Sequence, residues 1–474
     1  MAKKSVRVEK DSLGTLEIPA DAYYGVNVGR ALINFPISRR KIHPRIVEAY
    51  CRIKKAAAKV NREAGRLRAK DAKAIRSAAD EVLAGMFRDQ FVIDVFQAGA
   101  GTSTNMNANE VLCNRALELL GRKKGEYQFL HPNDHVNMGQ STNDTFPTAM
   151  RLAAVDALAD FYPEAEKLAA SLADLGKRFA KIVKSGRTHL QDAVPVTLGA
   201  EFKAYAETVR SATRHVRRTA GDLLELGIGG SATGTGMNTH PAYAKRMCEE
   251  LSHETGHAFK KARDLQFAMQ CQAPVSRASG ALRDFANELG RIANDLRLLS
   301  SGPTTGLAEI VLPSVQAGSS IMPGKINPSM PEMVNMVCFH VIGNDTCVSL
   351  ASAAGQLELN VMMPIMAENI LESIEVLTSA CRQLRLRCVE GITANPDRCE
   401  DYAYRSMGLA TALAPSIGYL GAAAVAKRAF AEGKTITELV RAEGMLSEKE
   451  IKHVLNLKRL TGPDPDLAGK PKKK

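Results

Sequence analysis

The chain has 474 residues, 45% of them apolar and 24% charged, with a net charge of +12; this length exceeds one hydrophobic core and indicates two or three domains. Aromatics make up only 5%, tryptophan is absent, and Lys54, Lys55, Lys59, Arg62, Arg66 and Arg68 are interspersed with apolar residues as on a solvated helix face. The charge therefore argues weakly for nucleic-acid binding and suits faster encounter with an anionic substrate. No apolar run approaches the roughly 20 residues that cross a bilayer, and Met1-Ala2-Lys3-Lys4-Ser5 lacks the apolar region of a signal peptide. A cytoplasmic protein without a membrane partner is expected.

In chain order, Leu13–Pro19 reads as extended, and helices follow over Ile46–Ala64, Ala72–Met86 and about Asn105–Leu120, where apolar residues recur at three and four spacing. Much longer helical patterns run from Thr145 to Ile182 with a break or kink at Pro163, from Val196 to Leu226, from Val275 to Leu299, from Pro331 to Ala354 and from Met363 to Val389. The second of these would make a rod of roughly 45 Å. Such long, largely apolar helices imply a bundle buried in part against other subunits. After Asn395-Pro396-Asp397, shorter helices are expected over Arg398–Thr411, Tyr419–Glu432, Ile436–Glu443 and Glu448–Leu455. Gly462-Pro463-Asp464-Pro465 ends regular structure, and the tail Lys470–Lys474 reads as disordered. The parts are 1–140, mixed and mostly helical, 141–394, a long-helix bundle, and 395–474, a small helical end. Nine cysteines, with no Cys-x-x-Cys, read as buried thiols.

Residues Gly318-Ser319-Ser320-Ile321-Met322-Pro323-Gly324-Lys325-Ile326-Asn327-Pro328 carry the clearest chemistry. Two adjacent hydroxyls sit between glycines, and a lysine and an asparagine follow within reach of the same small anion. The prolines argue against helix or central strand. The segment reads as a catalytic loop that closes on its ligand, although ordinary turns collect the same residues.

The whole string resembles the signature loop of the aspartase/fumarase superfamily, whose members eliminate fumarate from a substituted succinate. Gly101-Thr102-Ser103-Thr104-Asn105-Met106-Asn107 with Asn109-Glu110 is similar to the family's first motif region, and His135-Val136-Asn137-Met138-Gly139-Gln140-Ser141-Thr142-Asn143-Asp144 to its second. Gly186-Arg187-Thr188-His189-Leu190-Gln191-Asp192 completes the set. The resemblance covers nearly the whole chain from about Tyr23. It implies a mainly α, three-domain fold built on a central long-helix bundle, and a homotetramer whose active sites are shared between subunits.

Removing a proton from the carbon beside a carboxylate pushes electrons onto that carboxylate and makes a dianionic enediolate. Hydrogen-bond donors aimed at its oxygens are the remedy. Thr102, Ser141, Thr142 and Ser320 offer hydroxyls for that role. The resemblance makes Ser319 the general base, which requires that loop N–H groups or Lys325 hold its oxyanion. Lys325 with Asn327 would clamp the other carboxylate. His189, beside Thr188 in the substrate-binding set, is expected to bind the amino group or a carboxylate, with acid catalysis left open. By resemblance Glu332 pairs with it. Asn143 is placed at the leaving group, where its amide can accept from an ammonium or donate to a hydroxyl.

Thr102-Ser103-Thr104, Met138-Gly139, Ser141-Thr142 and Gly355–Val361 resemble the aspartase branch more than the fumarase branch, which implies reversible deamination of aspartate. Gly229–Gly236 followed by Asn238-Thr239-His240 is closer to the fumarase form, and Thr304 and Met363 depart from the usual residues. Hydration of fumarate, and a non-catalytic structural relative, remain open. The glycine-rich stretch Gly227–Gly236 lacks a Gly-Lys-Ser/Thr ending, so it does not read as a nucleotide site. His253-Glu254-Thr255-Gly256-His257 fits a zinc-protease pattern, but Gly256 suggests the helix ends between the imidazoles. No metal or other cofactor is expected.

Overall fold

The computed structural model describes residues 5–464; Pro465 and the lysine tail lie outside them. A hairpin, β1 (Val6–Asp11) with β2 (Gly14–Pro19), opens the chain, followed by α1 (Val26–Asn34), α2 (Pro44–Glu63), α3 (Ala69–Leu83) and α4 (Thr102–Leu119). Then come α5 (Thr142–Arg178), the hairpin β3 (Val183–Thr188) with β4 (Gln191–Thr197), α6 (Leu198–Ala220), α7 (Tyr243–Thr255), α8 (Leu265–Gln270) and α9 (Ala273–Leu299). The rest is mainly helical, α10 (Ser329–Ala353), α11 (Met363–Arg387), α12 (Pro396–Arg405), α13 (Ala414–Glu432), α14 (Ile436–Ala442) and α15 (Glu448–Val454), with one short antiparallel pair of Ile310–Val311 and Thr393–Ala394.

The chain groups into two compact units. The first is 1–163, 213–287 and 337–378, and the second is 164–212, 288–336 and 379–474. All five internal boundaries fall inside the long helices α5, α6, α9, α10 and α11. Within the first unit, these helices join through Phe161 edge-on to Phe285 at 5.0 Å, Ser279 Oγ donating to Asp345 at 2.7 Å, and Asn344 donating to Ser373 Oγ at 3.2 Å. Within the second, Phe179 packs edge-on to Phe202 at 5.5 Å, Tyr205 donates to Asp295 at 3.0 Å, and Asn335 donates to the Gly290 carbonyl at 3.1 Å. Rings and short polar side chains thus stitch the bundle in both units.

The structure corrects several boundaries. Helix α5 runs through both Pro147 and Pro163 without a break; each proline forfeits one backbone bond, while fully buried neighbours such as Phe161, Ala165 and Leu168 hold the helix in register. Helix α6 starts at Leu198 and stops at Ala220. It is roughly 35 Å long, because Val196 and Thr197 pair with Lys184 and Val183 in a hairpin the helical reading overran. Lys54 is fully buried, not solvated. All nine thiols are free, and seven are buried, with Cys271 and Cys347 partly exposed.

One stretch, Met407–Glu432, is long and apolar enough to cross a membrane by length and composition, against the sequence expectation. It is interrupted at Gly418 (φ 74°, ψ 163°). The regular helix after that point, Tyr419–Glu432, is about 21 Å long, short of the roughly 30 Å hydrocarbon layer. Its buried Ala422, Val425 and Ala429 pack with Ile436, Leu439, Val440 and Ile451 of α14 and α15.

Helix α10 carries an uncovered stripe. Met336, Phe339, Gly343, Thr346 and Leu350 recur at alternating spacings of three and four and all are exposed, Phe339 and Leu350 by more than two thirds. That period places them on one seam of the helix.

Candidate active site

In the first unit, the N-termini of α4 and α5 present the hydroxyls. Gly101 (φ 82°) precedes α4, and a Cβ there would lie 1.9 Å from the Phe146 ring of α5. Only glycine permits both that backbone and that approach. Thr102 follows with an exposed hydroxyl 3.4 Å from the Gly99 carbonyl.

Ser141 opens α5. Its Oγ accepts from Asn143 N at 3.2 Å, while Asp144 Oδ1 accepts from Ser141 N at 2.9 Å. The other Asp144 oxygen accepts from Gly229 N and Ser231 N, both at 3.0 Å. The N–H groups of the glycine-rich loop therefore serve an internal carboxylate, which accounts for that loop without a phosphate. Burial pushes the Asp144 carboxyl up to about 7, against the pull of these N–H groups. Asn143 donates through Nδ2 to the Ala232 carbonyl at 2.8 Å, which leaves its Oδ1 as an acceptor. Thr142, buried, accepts at Oγ1 from Asn105 Nδ2 at 3.1 Å.

Behind Asn105 lies Lys54 of α2. Its ammonium donates to Asn105 Oδ1 at 2.7 Å and to Asn137 Oδ1 and Gln140 Oε1 at 2.9 Å each. Burial lowers its pKa to about 7, opposed by Asp144. Sequence reasoning missed this network. Asn105, Asn137, Gln140 and Asp144 all lie inside the quoted motifs, and Lys54 falls one turn after Tyr50 and two before Asn61 on the buried face of α2; helical periodicity could have found it. Glu110, also in a motif, is structural. Its carboxylate accepts from Gly25 N at 2.6 Å and Asn27 N at 2.9 Å, capping α1.

In the second unit, the signature loop is irregular, as its prolines require. Gly318 N donates to the Lys325 carbonyl at 2.9 Å and Asn327 Nδ2 donates to the Gly318 carbonyl at 2.6 Å. A Cβ on Gly318 would lie 2.3 Å from the Lys325 carbonyl oxygen. Within this pinch, Ser319 Oγ accepts from Ile321 N at 3.1 Å and Met322 N at 2.8 Å. Ser320 and Lys325 are exposed. Lys325 and Asn327 line a cleft of about 640 Å³ with Arg297, Ser300, Ser301 and Asn395.

Thr188 and His189 stand at the exposed tip of the β3–β4 hairpin. The two-residue turn His189-Leu190 is left-handed at both positions (φ 55° and 58°), a conformation that costs a non-glycine residue roughly 1–2 kcal/mol. Below it, buried Lys184 pairs with Glu201 and Glu309 at 2.8 Å each, and Arg187 with Glu309 at 2.9 Å. These ion pairs anchor the strand that carries the tip. Glu332 is half-buried in the first turn of α10. The expected His189–Glu332 pair is not formed within the chain among the described residues; the imidazole sits on a tip that faces solvent.

The zinc-like pattern resolves differently from a metal site. Helix α7 ends at Thr255 with Gly256 (φ 74°) as its cap, and His257 turns to Asp156 at 3.1 Å. Glu250, His253 and Glu254 do converge within 4.8 Å, but Lys59 pairs with Glu250, and Lys55 pairs with Glu254 at 2.8 Å.

Hydroxyls and N–H groups at two helix N-termini make an anion receptor, and a serine oxygen that receives two N–H groups is polarised toward its oxyanion. A lyase that draws a proton from beside a carboxylate needs both. The sequence pattern described as "Lyase" matches residues 14–343, and that described as "Fumarase C C-terminus" matches residues 409–462. The chain belongs to the class II fumarase/aspartase family of lyases. It is 48% identical to the aspartate ammonia-lyase of Escherichia coli (strain K12), covering 97% of both chains. It is 45% identical to that of a Bacillus species, covering 97% of this chain and 98% of the relative. A solved fumarate lyase from Brucella melitensis, described with delta crystallin and bound to cobalt, superposes at TM-score 0.94 with 47% identity. The match covers 97% of this chain and 100% of that one. The class II fumarase of Schistosoma mansoni superposes equally well at 36% identity, with the same coverage.

Proposed function

We propose that the chain deaminates L-aspartate reversibly to fumarate and ammonia through an enediolate intermediate. The observation that carries this reading is Ser319 Oγ, which receives the N–H groups of Ile321 and Met322 and so can be held as the oxyanion a serine base requires. Ser319 takes the proton beside the carboxylate, and its electron pair moves onto that carboxylate. Thr102, Ser141, Thr142 and Ser320 donate to the enediolate oxygens. The pair then returns and expels the amine. Because the substrate amine is already an ammonium, it leaves as ammonia without an acid, so His189, oriented by Glu332 of another copy, needs only to bind. Asn143 Oδ1 accepts from the ammonium, while Lys325 and Asn327 hold the second carboxylate and Thr188 lines the site.

The homotetramer belongs to the same proposal: the exposed α10 seam supports burial against other copies, and the Thr142 cluster of one copy would meet the Ser319 loop of another. No cofactor enters the steps. Hydration of fumarate is the second reading, favoured by the fumarase-like Gly229–Gly236 stretch. Absorbance at the fumarate band, with aspartate and then malate, decides between them. Turnover is expected with aspartate; turnover of malate alone would overturn the reading.

A further inference from the structure

Lys54 touches none of the proposed substrate-binding positions, yet its geometry determines what one of them can do. An ammonium offers three N–H donors and no acceptor. Here three amide oxygens receive them, Asn105 Oδ1 at 2.7 Å and Asn137 Oδ1 and Gln140 Oε1 at 2.9 Å. The Asn105 amide is thereby locked in one of its two orientations, with oxygen toward Lys54. Its Nδ2 must then face the other way, where it donates to Thr142 Oγ1 at 3.1 Å and Asn137 Oδ1 at 3.2 Å. Thr142 is left an acceptor toward the interior. Its own O–H has no acceptor among the described residues and is kept for an outside ligand.

We infer that Lys54 is a positioning residue that fixes the hydrogen-bond polarity of Thr142 through Asn105, so that Thr142 meets its ligand as a donor. Without the cation, the Asn105 amide can turn its oxygen to Thr142 and consume the hydroxyl proton. The ligand that benefits is an anion, the carboxylate of a small dicarboxylate. This rests on the proposed deamination only for the identity of the reaction; the polarity itself concerns any dicarboxylate.

The decisive variant is Asn105→Asp, which keeps the shape. One carboxylate oxygen takes the Lys54 ammonium, now as an ion pair, and the other accepts the Thr142 O–H, so the polarity is inverted while Lys54 keeps its partner. The expected result is a Tm close to wild type, the new ion pair offsetting the lost Asn105–Asn137 bond, with kcat/KM for aspartate lowered about 10- to 100-fold, on the scale of one lost oxyanion donor, and succinate binding weakened in calorimetry. Adding Asn105→Asp to Thr142→Val should cause no further loss, because both act on one hydroxyl. Lys54→Met should lower the same two readouts and also the Tm. Wild-type activity and succinate affinity in folded Asn105→Asp, or a full additive loss in the double variant, would overturn the inference. If aspartate is not a substrate, the succinate arm still decides, and only the functional reading fails.

Discussion

The hydroxyl cluster around Thr142 and the loop around Ser319 serve one proposed reaction but are built in opposite ways. Thr142 is backed by Asn105, Lys54, Asn137 and Asp144, all within or against the core, and its geometry is fixed from behind. Among the described residues, Ser319 is held by its own loop, directly by the N–H groups of Ile321 and Met322 and through Gly318 by Lys325 and Asn327. Recognition of a carboxylate depends on donors already oriented before the ligand arrives, so it draws on buried structure. Proton abstraction has to follow ligand entry, so it suits an exposed segment with few outside contacts. Removing a buried partner from the first cluster, as in Lys54→Met, should therefore cost stability and activity together, and damage to the second should cost activity alone.

The largest separation is expected for Ser319→Ala: kcat for aspartate falls roughly 1000-fold or more with no change in Tm, measured by fumarate absorbance and calorimetry. A matched Tm loss would break the comparison. Two glycine substitutions sharpen it. Gly101→Ala forces a Cβ into Phe146 at 1.9 Å on a left-handed backbone and should cost about 2–4 kcal/mol in stability, seen in urea unfolding. Gly318→Ala collides with the Lys325 carbonyl and should lower kcat about tenfold while the unfolding midpoint holds, because only the loop opens.

The most gradual effect is a pH dependence. Burial raises the Glu110 carboxyl from 4.5 to about 7, so the folded chain binds this proton more tightly than the unfolded one. Its stabilising contribution is complete below about pH 4.5 and lost as pH rises through 7, on the order of 3 kcal/mol in total. The stability advantage of wild type over Glu110→Gln should shrink between pH 5 and pH 8. An advantage independent of pH would show that the capping N–H groups outweigh desolvation.

Helices were legible wherever apolar period and punctuation agreed: α9, α10 and α11 begin within two residues of their expected starts, and the restart at Tyr419 coincides with the Gly418 break. The β3–β4 hairpin was not, since Val194-Pro195-Val196 runs directly into the helical pattern of α6 and only strand pairing ends it. Lys54 was misplaced because its charge outweighed its position on the buried face of α2. The loop and both motif regions were readable as residue strings, but the direction of each hydrogen bond was not. Which oxygen Lys54 holds, and which atom of Asn143 remains open, depends on groups far away in the chain.

Because each unit boundary lies inside a long helix, no linker separates the two units. Limited proteolysis should nick the hairpin tip or the signature loop and leave the fragments associated, and neither unit is a candidate for expression by simple truncation. Exchange of one whole unit between relatives would have to splice all five helices, each without loss of helical phase.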